Sequence, residues 1–576
     1  MSNSQSTEGQ DLPQLILSHG QKLSFQDIID VCIHHRPCAL APETSTLIDE
    51  RRSQICTFIQ ESAAPSYGFN RGFGHNVKEA INPDDVEQLQ RNLILSHACC
   101  VGEPIEDEVV RASMLLRAQS LSQGYSGIRS VLITRLIDFI NEDVCPIIPR
   151  LGSVSASGDL APLSHIALAL IGEGDVRFKG EVMSAQDAHA KLKWTPLRLE
   201  MKEGLALNNG VQYTNALCLI LVDRLESLLN TAILATSLTA QVCLGSDTPY
   251  RQDLHLLRPH SGACRVAAAL TTLMADSPLR EAHRPYDIDG EVQDPYNLRC
   301  APQILGTCLD LIEHAKCTFL IEANSVTDNP LILKATADHG WDQRYGGRYL
   351  DQYVDIVSGG HFHGMPLATA AYSLIEAIGI MSRLSNMRSA RYVDEVRNRG
   401  LGSDVRWPGL STDPQIQRQQ SISSGMMIPE YVSAGLTNWI WGQAMPTHLF
   451  SLSTDAGQED HVSMAANVAL RTLDTLPRLA EVLAIECAFA AQAAAIRKEM
   501  DGLPSKHEHA DLSSTRYTYP LQPEQRKLSP AGEIAITRIG VLFPPVTEDR
   551  YMAKELQALA ASILEGELHI GINPAL

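Results

Sequence analysis

Aromatic side chains are scarce, with Phe, Tyr and Trp making up 5% of the 576 residues. Ala and Leu are abundant instead, a balance that favours helix over sheet. Basic charge is also short: Lys and Arg number 47 against 67 Asp and Glu, a formal net charge of −20. A surface that acidic repels phosphate backbones and argues against a nucleic-acid partner. No Cys-x-x-Cys pair occurs, and the 13 cysteines are odd in number and scattered. Adjacent Cys99-Cys100 suit neither a zinc site nor an ordinary disulfide, so the cysteines read as thiols of a reducing, cytoplasmic compartment. Residues Met1–Leu12 lack the apolar core of a secretory leader. The most apolar run, Asn215–Leu244, is interrupted by Asp223, Arg224 and Glu226. It reads as a buried core helix and not as a membrane span. Internal repeats and a strand–helix alternation are absent too, which argues against a doubly wound sheet.

What is present supports a large core: 44% of the residues are hydrophobic. Apolar residues recur at helical spacing over 215–244, 301–323, 367–385, 464–498 and 552–564. A short hairpin is expected within 171–186. The expected organisation is a disordered lead over 1–12, an N-terminal domain over 13–205, a central helical bundle over 206–500, and a C-terminal loop and helical extension over 501–576. Within the last, 501–530 is polar and Pro-containing and reads as a loop or lid. The loop Ala64–Val77 is rich in glycine and aromatics, the composition of a functional loop.

Chemistry concentrates in Gly152-Ser-Val-Ser-Ala-Ser-Gly-Asp-Leu-Ala-Pro-Leu-Ser-His165. Taken alone, Ser-Gly-Asp reads as a small-residue loop entering a helix, with Ser157 or Asp159 as its cap and Pro162 in its first turn. The glycine pattern is not that of a nucleophile elbow. The whole string, however, resembles the histidine, phenylalanine and tyrosine ammonia-lyase and aminomutase family. Further segments match in order: Tyr67-Gly68 with Gly72-Phe73-Gly74, Leu89–His97, Gly204–Gly210, Gln293–Arg299, Thr327–Pro330, Gly360–Gly364 and Gln458–Met464. The likeness runs from roughly residue 14 to residue 500, and histidine ammonia-lyases are the nearest type.

The resemblance implies a mainly α fold, a long-helix bundle of the fumarase/aspartase-like type, with a smaller mixed N-terminal region carrying the cofactor loop. It implies that Ala156, Ser157 and Gly158 cyclise to 4-methylidene-imidazol-5-one. The Gly158 amide nitrogen attacks the Ala156 carbonyl carbon, and Ser157 loses water to leave an exocyclic methylidene. Small residues and glycine permit that compressed backbone.

Roles follow by the same resemblance. Tyr67 is the base for the β-proton, which requires its pKa to fall from about 10. Arg299 clamps the substrate carboxylate with its planar fork, beside Gln293. Asn209 holds that carboxylate or polarises the cofactor carbonyl. Tyr296 and Asp159 assist cyclisation and proton movement, and Phe362 packs the ring pocket. Ser96-His97 resembles the histidine enzymes, where a second imidazole can hydrogen-bond the substrate ring. Glu459 follows the histidine pattern and can accept a ring N–H or relay a proton. For single residues the bland readings stay open: a buried loop tyrosine, a surface ion pair for Arg299, a core histidine for His97. A metal held by His361, His363 and His461 is the weaker reading, so no metal is expected.

Several positions depart from the family pattern: Arg71, Val211, His361, Met365, Asn438 and Gly457. Arg71 and His361 add basic character and Met365 removes a carboxylate, which suits a substrate with extra negative charge. The product expected is an α,β-unsaturated acid of the urocanate or cinnamate type. Alternatives are a phenylalanine- or tyrosine-type lyase, a 2,3-aminomutase, a lyase for thiolated or ergothioneine-like histidines, and a non-catalytic amino-acid binder. The resemblance also implies a homotetramer with shared active sites. No membrane partner is expected.

Overall fold

The computed structural model describes residues 12–62, 66, 68–71, 81–82, 85–286, 293–339, 345–409, 411, 413–504 and 517–572. Helices dominate them. Those that bear on the site are, in chain order, α1 (Val86–His97), α2 (Asp107–Ser122), α3 (Leu160–Leu170), α4 (Glu203–Asn208), α5 (Gln212–Val242), α6 (Ala301–Ala323), α7 (Met365–Val393), α8 (Met427–Gly442) and α9 (Ala465–Glu499). The apolar runs at 215–244, 301–323, 367–385 and 464–498 fall on α5, α6, α7 and α9, and the run at 552–564 falls on a helix over Ala553–Leu564.

Helix α5 shows why these segments lie inside. Ala216 to Val222 are all fully buried, so this stretch has no polar face to turn to water. Helices α7 and α9 have the length and composition to cross a bilayer, but 56% and 89% of their most apolar windows are buried within the protein. That is the behaviour of core helices.

Strand structure is confined to short pairs and one three-stranded sheet among the described residues. The hairpin expected near 171–186 is present: Asp175–Phe178 pairs antiparallel with Glu181–Ser184. Its turn residues Lys179 and Gly180 have φ of 50° and 87°, as the mirror-image turns that suit hairpin twist require. Val144–Pro146 pairs along the other edge of Asp175–Phe178. In the expected C-terminal loop, Gly502–Pro504 pairs with Tyr517–Pro520, and 505–516 lies outside the described residues.

The chain divides into two compact units, one of Met1–Leu221, Ala315–Tyr372 and Pro446–Arg471, the other of Val222–His314, Ser373–Met445 and Thr472–Leu576. In the first, α1 packs on α3 and α4. A cluster of Ile55, Phe58, Ile59, Phe69, Ile332 and Val354 closes around Phe69. Lys202 and Asp328, both without exposed side-chain surface, pair at 2.7 Å. In the second unit, α7 and α9 are joined by Arg388, whose guanidinium meets the Glu486 carboxylate at 2.5 and 2.9 Å. The Thr239 hydroxyl of α5 donates to the same carboxylate at 2.8 Å, and Tyr392 donates to Thr239 at 3.0 Å. Side chains of three long helices thus meet at this buried charge pair, which ties their register together, and Arg388 Nη1 also donates to the Asn297 carbonyl at 3.5 Å.

Candidate active site

Helix α3 starts immediately after Ala156-Ser157-Gly158-Asp159. Asp159 stands at its N-cap position, yet its side chain makes no capping bond. The carboxylate instead accepts hydrogen bonds from the Ser153 and Ser155 hydroxyls at 2.7 and 2.9 Å, and from the Thr214 amide and hydroxyl, both at 2.7 Å. Burial raises its pKa above the usual carboxylate range, while the bonds from Ser153, Thr214 and Ser155 oppose that push.

The residue before the triplet is held at every polar atom. Ser155 has φ 49°, a left-handed conformation that costs a non-glycine residue on the order of 1–2 kcal/mol. Its amide donates to Ser153 Oγ at 3.0 Å. Its carbonyl accepts from Gly364 N at 3.3 Å and from Ser463 Oγ at 2.9 Å. Its hydroxyl accepts from Ala466 N at 3.2 Å. Met464 N also donates to Val154 O at 3.0 Å, and Ala156 packs with Val462 and Met464. Thus the segments Gly360–Gly364 and Gln458–Met464, separate in sequence, meet on the loop leading into Ala156.

Gly158 has φ +76°, and a Cβ there would run into the backbone of Gly210. The two glycines form an isolated parallel bridge, and Asp159 N donates to Gly210 O at 2.7 Å. Next to Gly210, Asn209 donates its side-chain amide to the Ser157 carbonyl at 3.2 Å. Its own Oδ1 is buried without a hydrogen-bond partner. The Ser157 hydroxyl donates to Glu459 Oε1, and the Thr454 hydroxyl donates to Oε2 of the same carboxylate. A small-residue triplet is therefore gripped by a carboxylate at its side-chain oxygen and by an amide donor at its carbonyl.

Other expected residues of this unit lie as follows. His97 ends α1 half-buried, with Nδ1 2.9 Å from Ser96 Oγ. Burial holds its pKa below 6.5, partly opposed by the Leu93 carbonyl, which favours the neutral ring. Phe362 is half-buried and His361 exposed in the turn before α7. His363 Nε2 lies 2.9 Å from the His461 carbonyl. Arg71 is half-buried. Tyr67 lies outside the described residues; of its neighbours, Ser66 O accepts from Phe69 N and Asn70 N, and Gly68 O accepts from Lys202 N at 2.9 Å. Gln293, Tyr296 and Arg299 belong to the second unit. Tyr296 is 68% exposed. Arg299 Nε donates to Asp294 O at 3.0 Å, and its guanidinium carbon lies 4.8 Å from the Tyr296 ring centroid. Among the described residues, no group of three or more His, Cys, Asp or Glu side chains is arranged to hold a metal.

Three residues around the triplet were not singled out by sequence. Thr454 carries no recognisable pattern. Gln212 follows the matched Gly204–Gly210 segment by two positions. Arg117 had a signal that could have been read: a lone cation in the apolar stretch Met114-Leu-Leu-Arg-Ala118 of a helix. It is 1% exposed. Its Nη1 donates to Asn209 O and to Gln212 Oε1, both at 2.7 Å.

Residues 23–516 match the model of the family described as aromatic amino acid lyase. A histidine ammonia-lyase of Deinococcus radiodurans is 36% identical over 95% of this chain and 93% of its own. One from Burkholderia mallei is 40% identical over 80% of this chain and 84% of its own. Among solved structures, the phenylalanine aminomutase of Pantoea agglomerans superimposes with a TM-score of 0.81 at 28% identity, over 96% of this chain and 99% of that one. By sequence and by fold alike, the chain belongs to the aromatic amino acid lyase family.

Proposed function

We propose that this carbon–nitrogen lyase removes the α-amine of histidine and releases an α,β-unsaturated acid of the urocanate type. The observation that carries the reading is the pair of contacts on Ser157: Glu459 at its hydroxyl and Asn209 at its carbonyl. The family depends in general on 4-methylidene-imidazol-5-one. Residues 156–158 fit that group. Ala156 and Gly158 leave the ring-closing atoms unhindered, Gly158 is held left-handed against Gly210, and the left-handed Ser155 compresses the chain just before. When formed, the group supplies an electrophilic methylidene carbon, which no ordinary side chain provides.

The chain's own residues do the rest. The Asn209 amide donates to the Ser157 carbonyl and draws electron density toward that oxygen. Glu459 offers a carboxylate beside the Ser157 side chain, able to accept an N–H of the substrate. A neutral His97 ring can donate to or accept from an imidazole. Arg299 clamps the substrate carboxylate, and the Tyr67 phenolic oxygen takes the β-proton. Relatives of 36% and 40% identity that are histidine ammonia-lyases favour histidine over phenylalanine or tyrosine.

A second reading rests on Arg71 and His361, both basic, and on Met365 where a carboxylate is expected. They favour a histidine whose ring bears a thiolate or another anion. We also propose a homotetramer. Helix α8 exposes Ile428, Tyr431 and Val432 by 53%, 63% and 46%, an apolar face that calls for a partner surface. All 13 cysteines are free, in keeping with a reducing, cytoplasmic compartment.

One preparation tests these points. Purified protein is given histidine, its thiolated and methylated analogues, phenylalanine and tyrosine, and alkenoate formation is followed by ultraviolet absorbance. Urocanate from histidine is the expected result, with the near-ultraviolet band of the cofactor lost in Ser157→Ala. Turnover of phenylalanine or tyrosine without histidine overturns the substrate, and a β-amino acid product makes the enzyme a mutase. Light scattering on the same sample should give the mass of four chains.

A further inference from the structure

Arg117 lies on α2, behind the segment that carries Asn209. Its guanidinium is buried, and desolvation pulls its pKa down to about 10, with Asp328 working the other way. It therefore stays charged at neutral pH. Asp328 already pairs with Lys202 at 2.7 Å, so this corner of the unit holds two cations against one carboxylate. A buried cation is costly unless something needs it.

What Arg117 does with its charge is specific. One nitrogen, Nη1, grips both Asn209 O and Gln212 Oε1. Gln212 in turn donates to Thr327 Oγ1 at 2.7 Å. Between these two acceptors stands Gly210, with φ +146°. A Cβ on Gly210 would collide with Arg117 Nη1 and Gln212 Oε1. The packing leaves no slack, so the 209–212 backbone cannot withdraw while the guanidinium is in place. That turn makes one contact with the triplet and one with the residue after it: the Asn209 side-chain amide donates to Ser157 O, and Asp159 N donates to Gly210 O. The remaining nitrogens of Arg117, Nε and Nη2, are buried without hydrogen-bond partners. Its whole bonded effort is thus spent on this one turn.

We propose that Arg117, braced by Gln212 and Thr327, is a positioning residue for the lyase reaction. It holds Asn209 against the Ser157 carbonyl while touching neither the triplet nor any atom of the substrate. This inference rests on the proposed function, because only a reaction at Ser157 makes the placement of Asn209 matter. An ångström of misplacement at a reacting centre costs about 100-fold in rate. Loss of the clamp acts on kcat, since the substrate-binding groups Arg299 and His97 are untouched.

The test uses the purified full-length enzyme and two variants, Arg117→Met and Arg117→Lys. Circular dichroism reports folding, intact mass reports dehydration of the triplet, and the near-ultraviolet band reports the environment of the cofactor carbonyl. The expected result is a folded Arg117→Met enzyme whose kcat falls by about 100-fold with KM changed far less, and whose near-ultraviolet band shifts. Arg117→Lys, which restores a cation and one donor, should recover part of both. A folded Arg117→Met protein with parental kcat and band overturns the proposal. If Arg117→Met does not fold, Gln212→Met decides by the same two readouts, because it removes the brace and leaves the cation. Failure of the functional reading looks different: the parent enzyme itself then shows neither band nor alkenoate.

Discussion

At the scale of single residues, the site is a matter of who holds Ser157. Glu459 takes hydrogen bonds from two hydroxyls, Ser157 and Thr454. In the proposed reaction, dehydration of Ser157 would remove one of those donors and free Oε1 for the substrate. Glu459→Gln keeps the shape and Thr454's position but replaces a carboxylate oxygen with an amide. A charge-assisted hydrogen bond is worth about 1.5–3 kcal/mol. Accordingly, Glu459→Gln should lower kcat/KM for histidine by about 10- to 100-fold, while the cofactor band remains. Steady-state kinetics and absorbance on one sample check both parts. An unchanged kcat/KM would remove Glu459 from substrate contact. His97 and Glu459 were singled out from the sequence because each sits in a long matching string. Thr454 and Arg117 were not, because their partners lie 5 residues and 92 residues away and reach them only through the folded backbone.

At the scale of elements, the helices were readable from the sequence because burial leaves a period. Helices α6 and α9 begin and end within a residue of the apolar runs that announce them. The hairpin at 175–184 was readable from Lys179-Gly180. How the elements meet was not. Lys202 is the N-cap of α4 with φ 72°, and nothing in Gly204–Gly210 points to Asp328. Yet their buried pair fastens the start of α4 to the Thr327–Pro330 segment, 126 residues on. Both side chains are fully buried, so removing one charge strands the other. Asp328→Asn should therefore destabilise the fold by about 3–5 kcal/mol, measured by urea unfolding. A change below about 1 kcal/mol would mean that water or a neighbouring group already satisfies Lys202. The same substitution leaves Arg117 with no nearby anion, so the cofactor band offers a second readout of strain in the 209–212 turn.

At the scale of the whole molecule, buried histidines set how stability depends on pH. Burial lowers the pKa of His97, His165, His189 and His569 from the ordinary 6.5. In the unfolded chain each binds a proton as pH falls through 6.5, whereas the folded protein resists. The unfolded state then holds more protons, and stability falls with pH in that window. Above about pH 7 the contribution is complete, and it declines as pH drops toward about 5. Carboxylates such as Asp247 act elsewhere. Against the upward push of burial, Arg284 and Arg280 hold Asp247 below 3.8, so its stabilisation is lost only at still lower pH. Asp159, raised by burial, carries the opposite sign: its proton is released more readily from the unfolded chain, which works against the fold as pH rises from the ordinary carboxylate range. The melting temperature should thus drop between about pH 7 and about pH 5, ahead of any acid unfolding driven by carboxylates. His165→Gln, whose ring accepts from the Cys100 amide, should flatten the slope without abolishing the cofactor band. A melting temperature flat across that window would show that these rings take up protons in the fold as easily as outside it.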